Sequence, residues 1–114
     1  MSSRAKPWSV RLADAAGQDF RDIYGWTLGR FGATQAELYA AALSLTINAL
    51  RAGPLTVGVR KRIDVAKGLW SLPVKVKRRS GRHHVYFRVA EDAREVVVVR
   101  ILHDAMEATR HITQ

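Results

Sequence analysis

The run Glu95-Val96-Val97-Val98-Val99-Arg100-Ile101-Leu102-His103 decides the fold. Val96 to Val99 are apolar at every position, so an extended chain there has both faces buried, as in a strand inside a layered sheet. Such a strand needs strand neighbours and a cover on each side, and the flanking sequence supplies candidates. Trp70 to Lys77 alternates, with Leu72, Val74 and Val76 on one side and Lys75 and Lys77 on the other. Ser80-Gly81 reads as a turn, and His83 to Val89 returns as the second arm of a β-hairpin with a basic tip. On this arm Val85, Phe87 and Val89 share one face while His84, Tyr86 and Arg88 share the other, because strand side chains alternate. A turn at Glu91-Asp92 then leads into the Val-rich strand.

Further upstream the period changes. Ala16, Phe20, Ile23, Tyr24, Leu28 and Phe31 recur at spacings of three and four, which predicts an amphipathic helix capped by Asp14 and ending around Gly29 to Gly32. Thr34-Gln35-Ala36-Glu37 is a capping box for a second helix. Its apolar positions include Leu43, Ile47 and Leu50, with Leu38, Ala42, Leu45 and Ala49 beside them, and Gly53-Pro54 stops it. Ahead of both, Val10 and Leu12 alternate around Arg11 as a short first strand. Behind the Val-rich strand, Asp104 and Glu107 form a cap-like pair for a short helix through His111. One cover of the sheet is therefore the helical hairpin; the other is the C-terminal segment or a partner chain. The fold class is α+β: an N-terminal strand and an α-helical hairpin packed on a small antiparallel β-sheet, with a short C-terminal helix. The 114 residues make one domain, 1–114, with 1–7 as a flexible N-terminus. Trp8, Trp26 and Trp70, beside helical stripes and strand starts, belong to the core.

Nineteen Lys and Arg against ten Asp and Glu leave a formal charge of +9. The whole excess sits in residues 55–88, where Arg60, Lys61, Arg62, Lys67, Lys75, Lys77, Arg78, Arg79, Arg82 and Arg88 face one acid, Asp64. Charge concentrated in this way marks a local surface for an acidic partner or for phosphate. The chain has no cysteine, which excludes disulfides, thiolate metal sites and a cysteine nucleophile. Four histidines without a His-x-x-x-His pair give no metal site, and neither a Gly-rich phosphate loop nor a Gly-x-Ser-x-Gly elbow is present, so no cofactor is expected. No apolar stretch follows the basic N-terminus, and Ser44, Thr46 and Asn48 interrupt Leu38 to Leu50, so the expectation is a soluble cytoplasmic protein with no membrane contact.

Over residues 8–112 the chain resembles the RelE/ParE superfamily of toxins from type II toxin–antitoxin systems. The resemblance rests on the order of elements and on Gly68-Leu69-Trp70-Ser71-Leu72-Pro73-Val74 and His84-Val85-Tyr86-Phe87-Arg88-Val89. It rests above all on Val99-Arg100-Ile101-Leu102-His103-Asp104-Ala105-Met106-Glu107 ahead of Arg110-His111-Ile112, which is most like the ParE branch. The basic hairpin from Lys75 to His84 departs towards the RNase-like branch. The resemblance implies a toxin neutralised by a cognate antitoxin with an acidic or amphipathic C-terminal tail, encoded in the neighbouring reading frame. A ParE-like toxin inhibits DNA gyrase by binding; a RelE-like one is a ribosome-dependent endoribonuclease that cuts mRNA. A third reading is a nontoxic basic interaction module.

Each reading names its residues. RNA cleavage without a metal needs a proton acceptor, cations for the phosphorane charge and an acid for the leaving oxygen. Arg82, His84, Tyr86, Arg88 and His103 would supply these groups provided His103 shares their face, although no Glu lies in 55–88 to act as a carboxylate base. Under the gyrase reading no residue is catalytic, and on electrostatic grounds Arg78, Arg79, Arg82, Arg110 and His111 form the target-binding surface. The antitoxin tail would lay an amphipathic helix against Tyr24, Leu28 and Tyr39.

Overall fold

The protein is described by a computed structural model covering residues 6–76 and 79–112, without the side chains of residues 79 and 80. In chain order the elements are β1 (Ser9–Leu12), α1 (Asp14–Phe31), α2 (Ala33–Ala49), a 3-10 turn (Leu50–Ala52), β2 (Arg60–Lys61), β3 (Trp70–Val76), β4 (Arg79–Ala90), β5 (Glu95–His103) and a second 3-10 turn (Ala108–Arg110). They form one five-stranded sheet in the order β1-β5-β4-β3-β2. β1 runs parallel to β5, while the other pairs are antiparallel, so the sheet is mixed. The α+β architecture expected of the sequence is present, and the Val-rich strand lies inside the sheet between β1 and β4.

The two faces of that sheet are covered unequally. On one face α1 and α2 pack over Leu72, Val74, Val85, Phe87, Val96, Val98 and Ile101, adding Trp8, Ala16, Ala42, Leu43 and Leu50 to a single core. On the other, Val65, Ala66 and Leu69 join Ala108 and Ile112 of the C-terminal segment over Tyr86 and Leu102. This second cover includes the C-terminal segment, one of the two candidates the sequence offered.

β5 departs from strict alternation. Tyr86 pairs with Arg100 and Phe87 with Val98, leaving Val99 as an extra residue. Such a bulge inverts the parity of the strand beyond it. Val96 and Val98 face the helices before the bulge, and Ile101 faces them after it.

Several local expectations are corrected. Asp14 does not cap α1: the cap position is Ala13, whose N–H donates to the Val98 carbonyl at 2.8 Å, and Asp14 is the first helical residue. There its carboxylate favours the positive helix end by charge alone. The Thr34 capping box does not form either, because Gly32, at φ 90°, serves as the end of α1 and the start of α2 with no side-chain cap. Glu37 instead accepts the Tyr24 hydroxyl at 2.6 Å. Ser80-Gly81 is not the hairpin turn but part of β4, with Ser80 paired to Lys75; Lys77 and Arg78 lie outside the described residues. The C-terminal helix is a single 3-10 turn, because the Asp104 N–H is committed to the Arg82 carbonyl at 2.7 Å and Glu107 is extended. Leu38 and Leu45 are exposed, as are Leu55, Val57 and Ile63 in the region after α2. Residues 1–5 of the expected flexible N-terminus also lie outside the described residues, and the Lys6 carbonyl accepts Arg94 Nη2 at 2.5 Å. Gly53 is required where it stands: at φ 87° it lies against the Trp8 indole, and a Cβ there would come within 2.5 Å of Nε1. No helix among the described residues is long and apolar enough to cross a membrane.

Candidate functional site

Because residues paired across neighbouring strands share a face, His83 and His103, opposite each other in the β4–β5 register, both face the helices. Their rings meet edge to face at 5.1 Å. Tyr39 of α2 reaches down from above and shares a hydrogen bond of 2.5 Å with His83 Nδ1. Gly81 makes room for it, since a Cβ there would lie 3.3 Å from the Tyr39 hydroxyl and 3.0 Å from the Val74 carbonyl. These three rings floor a groove of about 620 Å³ whose walls are Ile23, Trp26 and Phe31, with Arg82 at its edge. Trp26 is 62% exposed and meets Phe31 edge to face at 5.8 Å. The expectation that Trp26 belongs to the core is therefore corrected: it lies one position off the buried stripe of α1, which runs through Ala16, Phe20, Ile23 and Thr27. Trp8 is buried, and Trp70 is half-buried, stacked with Phe87 at 6.4 Å.

Burial, followed by the neighbouring His103, pushes His83 down to about 4. Burial likewise pushes the Tyr39 phenol up, so both groups are neutral at pH 7. His103 Nδ1 accepts the Ala105 N–H at 3.0 Å and lies 3.3 Å from the Asp104 carboxylate.

The opposite face holds the rest of the proposed cleavage set. His84, Tyr86 and Arg88 point there together, as alternation requires, but His103 does not join them because the bulge at Val99 turns it to the helix side. Tyr86 is buried, and its hydroxyl accepts Arg62 Nη1 at 3.2 Å while the guanidinium lies 5.4 Å from the ring centroid. Arg62 is also held by Asp64 through Nε at 3.1 Å and Nη2 at 3.0 Å. Arg88 donates to the Lys67 carbonyl at 2.7 Å. Burial, with the Arg62 guanidinium next, pushes His84 down.

Of the proposed target-binding residues, Arg82 is exposed at the groove, Arg110 is exposed and paired with Glu107 at 2.7 Å, and the His111 carbonyl accepts Arg100 Nη1 at 3.2 Å. Arg78 and the Arg79 side chain lie outside the described part. Of the proposed antitoxin contacts, Tyr39 lines the groove, whereas Tyr24 is turned to Glu37 and the 42%-exposed Leu28 lies beyond the lining. Among the described residues no group of three or more His, Asp or Glu side chains is placed to hold a metal ion.

Sequence reasoning missed Asp19 and Arg100. β1 pairs no further than Leu12 with Val98, so beyond it β5 has an open edge. The Asp19 carboxylate fills that edge: Oδ2 accepts the Ile101 N–H and Arg100 Nε, each at 2.8 Å, and Oδ1 accepts Arg100 Nη2 at 2.9 Å. The one available signal was Arg100 inside an otherwise apolar strand.

A family model described as the ParE toxin of the type II toxin–antitoxin system parDE matches residues 10–108. Among solved structures, the chain is similar to the chromosomal ParDE toxin–antitoxin system from P. aeruginosa, with a TM-score of 0.68 and 18% identity, covering 87% of this chain and 98% of that one. It is also similar to a RelBE toxin–antitoxin complex from Mycobacterium tuberculosis, with a TM-score of 0.56 and 22% identity, covering 92% and 100%. No curated protein matches the sequence.

Proposed function

The chain belongs to the ParE toxin family of type II toxin–antitoxin systems, and from that premise we propose that it acts in the cytoplasm by binding DNA gyrase and is held inactive by a cognate antitoxin. The observation that carries a binding mechanism is the division of the acid–base candidates between the two faces of the sheet. His103 sits with His83 under the helices, and His84, Tyr86 and Arg88 sit on the other side. A general base and acid must reach one substrate from hydrogen-bond distance and titrate near the working pH. His83, at about 4, is a weak base at neutrality and is not in the imidazolium form that an acid step needs. Contact, by comparison, asks only for shape and charge, and the +9 chain offers both.

The antitoxin contact follows from the same geometry. An amphipathic helix with an acidic face fits the helix-side groove, its apolar side on Trp26, Phe31 and Tyr39 and its carboxylates towards Arg82.

Induced expression in bacteria, with and without the antitoxin from the adjacent gene, tests this reading. Accumulation of gyrase–DNA cleavage complexes with intact transcripts is the expected result, retained by His103→Ala and weakened by Arg82→Ala, which removes a target-binding cation. Transcripts cut on the ribosome, with protection by either substitution, would overturn it in favour of RNA cleavage.

A further inference from the structure

We propose that the outer face of β2, β3 and β4 binds the phosphodiester backbone of nucleic acid. This inference does not rest on the gyrase reading and is tested without gyrase.

β2 and the residue after it place three cations in succession. Arg60 pairs with Ser71 and Lys61 with Trp70, so Arg60 stands over the outer face and Lys61 over the helix-side face, where its Nζ lies 5.6 Å from the Trp70 ring centroid. Arg62 alternates back to the outer face and is clamped on Tyr86 and Asp64. Between them lies a groove of about 420 Å³ lined by Arg60, Lys61, Arg62, Ser71, Pro73 and His84, with Asp64 as its acid. Arg60 and Lys61 have no ion-pair partner among the described residues. Asp64 offsets one of the three cations and leaves a net positive groove.

Three features select phosphate over an acidic protein segment. Apart from Pro73 and the His84 imidazole the lining is charged or hydroxylic, so it gives an amphipathic helix little apolar seat; the larger apolar groove is on the opposite face. The groove crosses the strands, from Arg60 on β2 past Pro73 on β3 to His84 on β4, which gives a repeating anion more than one contact along its length. Clamping by Tyr86 and Asp64 uses three of the five Arg62 N–H donors and fixes the guanidinium plane, so the remaining Nη1 and Nη2 hydrogens lose little freedom on meeting a phosphate oxygen. The competing account, that cations on β2 only guard an open sheet edge, explains Arg60 and Lys61. It explains neither the clamp on Arg62 nor the half-buried imidazole of His84 beside it.

Fluorescence anisotropy of the purified full chain with a short labelled DNA duplex tests the proposal, with single-stranded RNA and a poly-glutamate peptide as further arms. Binding should weaken linearly in log–log form with salt, by about 0.9 in slope per phosphate neutralised. Arg60→Gln with Lys61→Gln should lower the slope by about 1, the share of Arg60 on the outer face, and the low-salt affinity by about fivefold. Arg21→Gln with Arg51→Gln removes the same charge elsewhere and should change the affinity far less. His84 ring resonances should move as DNA is added, while thermal unfolding shows both variants folded. RNA binding without duplex binding would sustain this proposal and count against the gyrase reading. Equal losses in the two double variants, an unmoved His84, or poly-glutamate bound as tightly as the nucleic acids would overturn it.

Discussion

The same strand, β4, builds two unlike surfaces. Val85 and Phe87 point into a thick core closed by two helices, and His84, Tyr86 and Arg88 point to a thin cover made of a short connecting segment and one 3-10 turn. A thick cover excludes water and carries most of the stability; off the buried stripe of its first helix it leaves the Trp26 and Phe31 rings exposed. A thin cover leaves cations and an imidazole within reach of solvent. Stability and an apolar groove therefore belong to the helix side, where we propose the antitoxin docks, and a cationic groove belongs to the outer side, where we propose nucleic acid binds.

Substitutions break or sharpen this contrast. Phe87→Ala should cost about 4 kcal/mol in urea unfolding, against about 2 kcal/mol for Ile112→Ala in the thin cover. Equal losses would mean that the two sides contribute alike. Asp19→Ala should cost about 3 kcal/mol, because it strands the Arg100 charge and leaves the Ile101 N–H without its acceptor; a loss below 1 kcal/mol would show that water replaces the carboxylate at about the ordinary hydrogen-bond cost. His83 ties the helix side to pH. The unfolded chain protonates it near 6.5 and the folded chain resists until about 4, so the stability from the neutral ring is complete above 6.5 and is lost as pH falls between those values. After allowance for solvent screening of a part-exposed ring this amounts to about 2 kcal/mol, and His83→Gln should flatten the stability–pH curve by that much. An unchanged acid limb in the variant would assign the effect elsewhere. Trp26→Ala should move folding stability by less than about 0.5 kcal/mol, since the ring is mostly exposed, yet weaken antitoxin binding by about 2 kcal/mol in calorimetry. The reverse pattern would make Trp26 a packing residue.

How much of this was legible depended on range. The helix pair, the alternation of β3 and β4 and the buried run of β5 follow from spacings of two, three and four residues, and these are where the sequence reading holds. β2 is two residues long and shows no period to detect. The caps expected at Asp14 and Thr34 failed because the neighbouring elements begin so close that Ala13 and Gly32 already occupy the cap positions. Of the candidate site, His84, Tyr86 and Arg88 were correctly placed together by alternation alone. His103 was not, because one extra residue at Val99 changes the face of everything after it, and period-two reasoning gives no warning of a bulge.

The sequence by itself determined the element types, the family and the concentration of positive charge between residues 55 and 88, since these depend on near neighbours and on composition. Tertiary structure alone decided that Asp19 completes the open edge of β5, that Trp26 is left uncovered, and that His83 and His103 meet beneath Tyr39 on the face turned away from the clamped Arg62. Those outcomes depend on strand register and on where each layer ends, and register joins residues tens of positions apart that no local pattern connects.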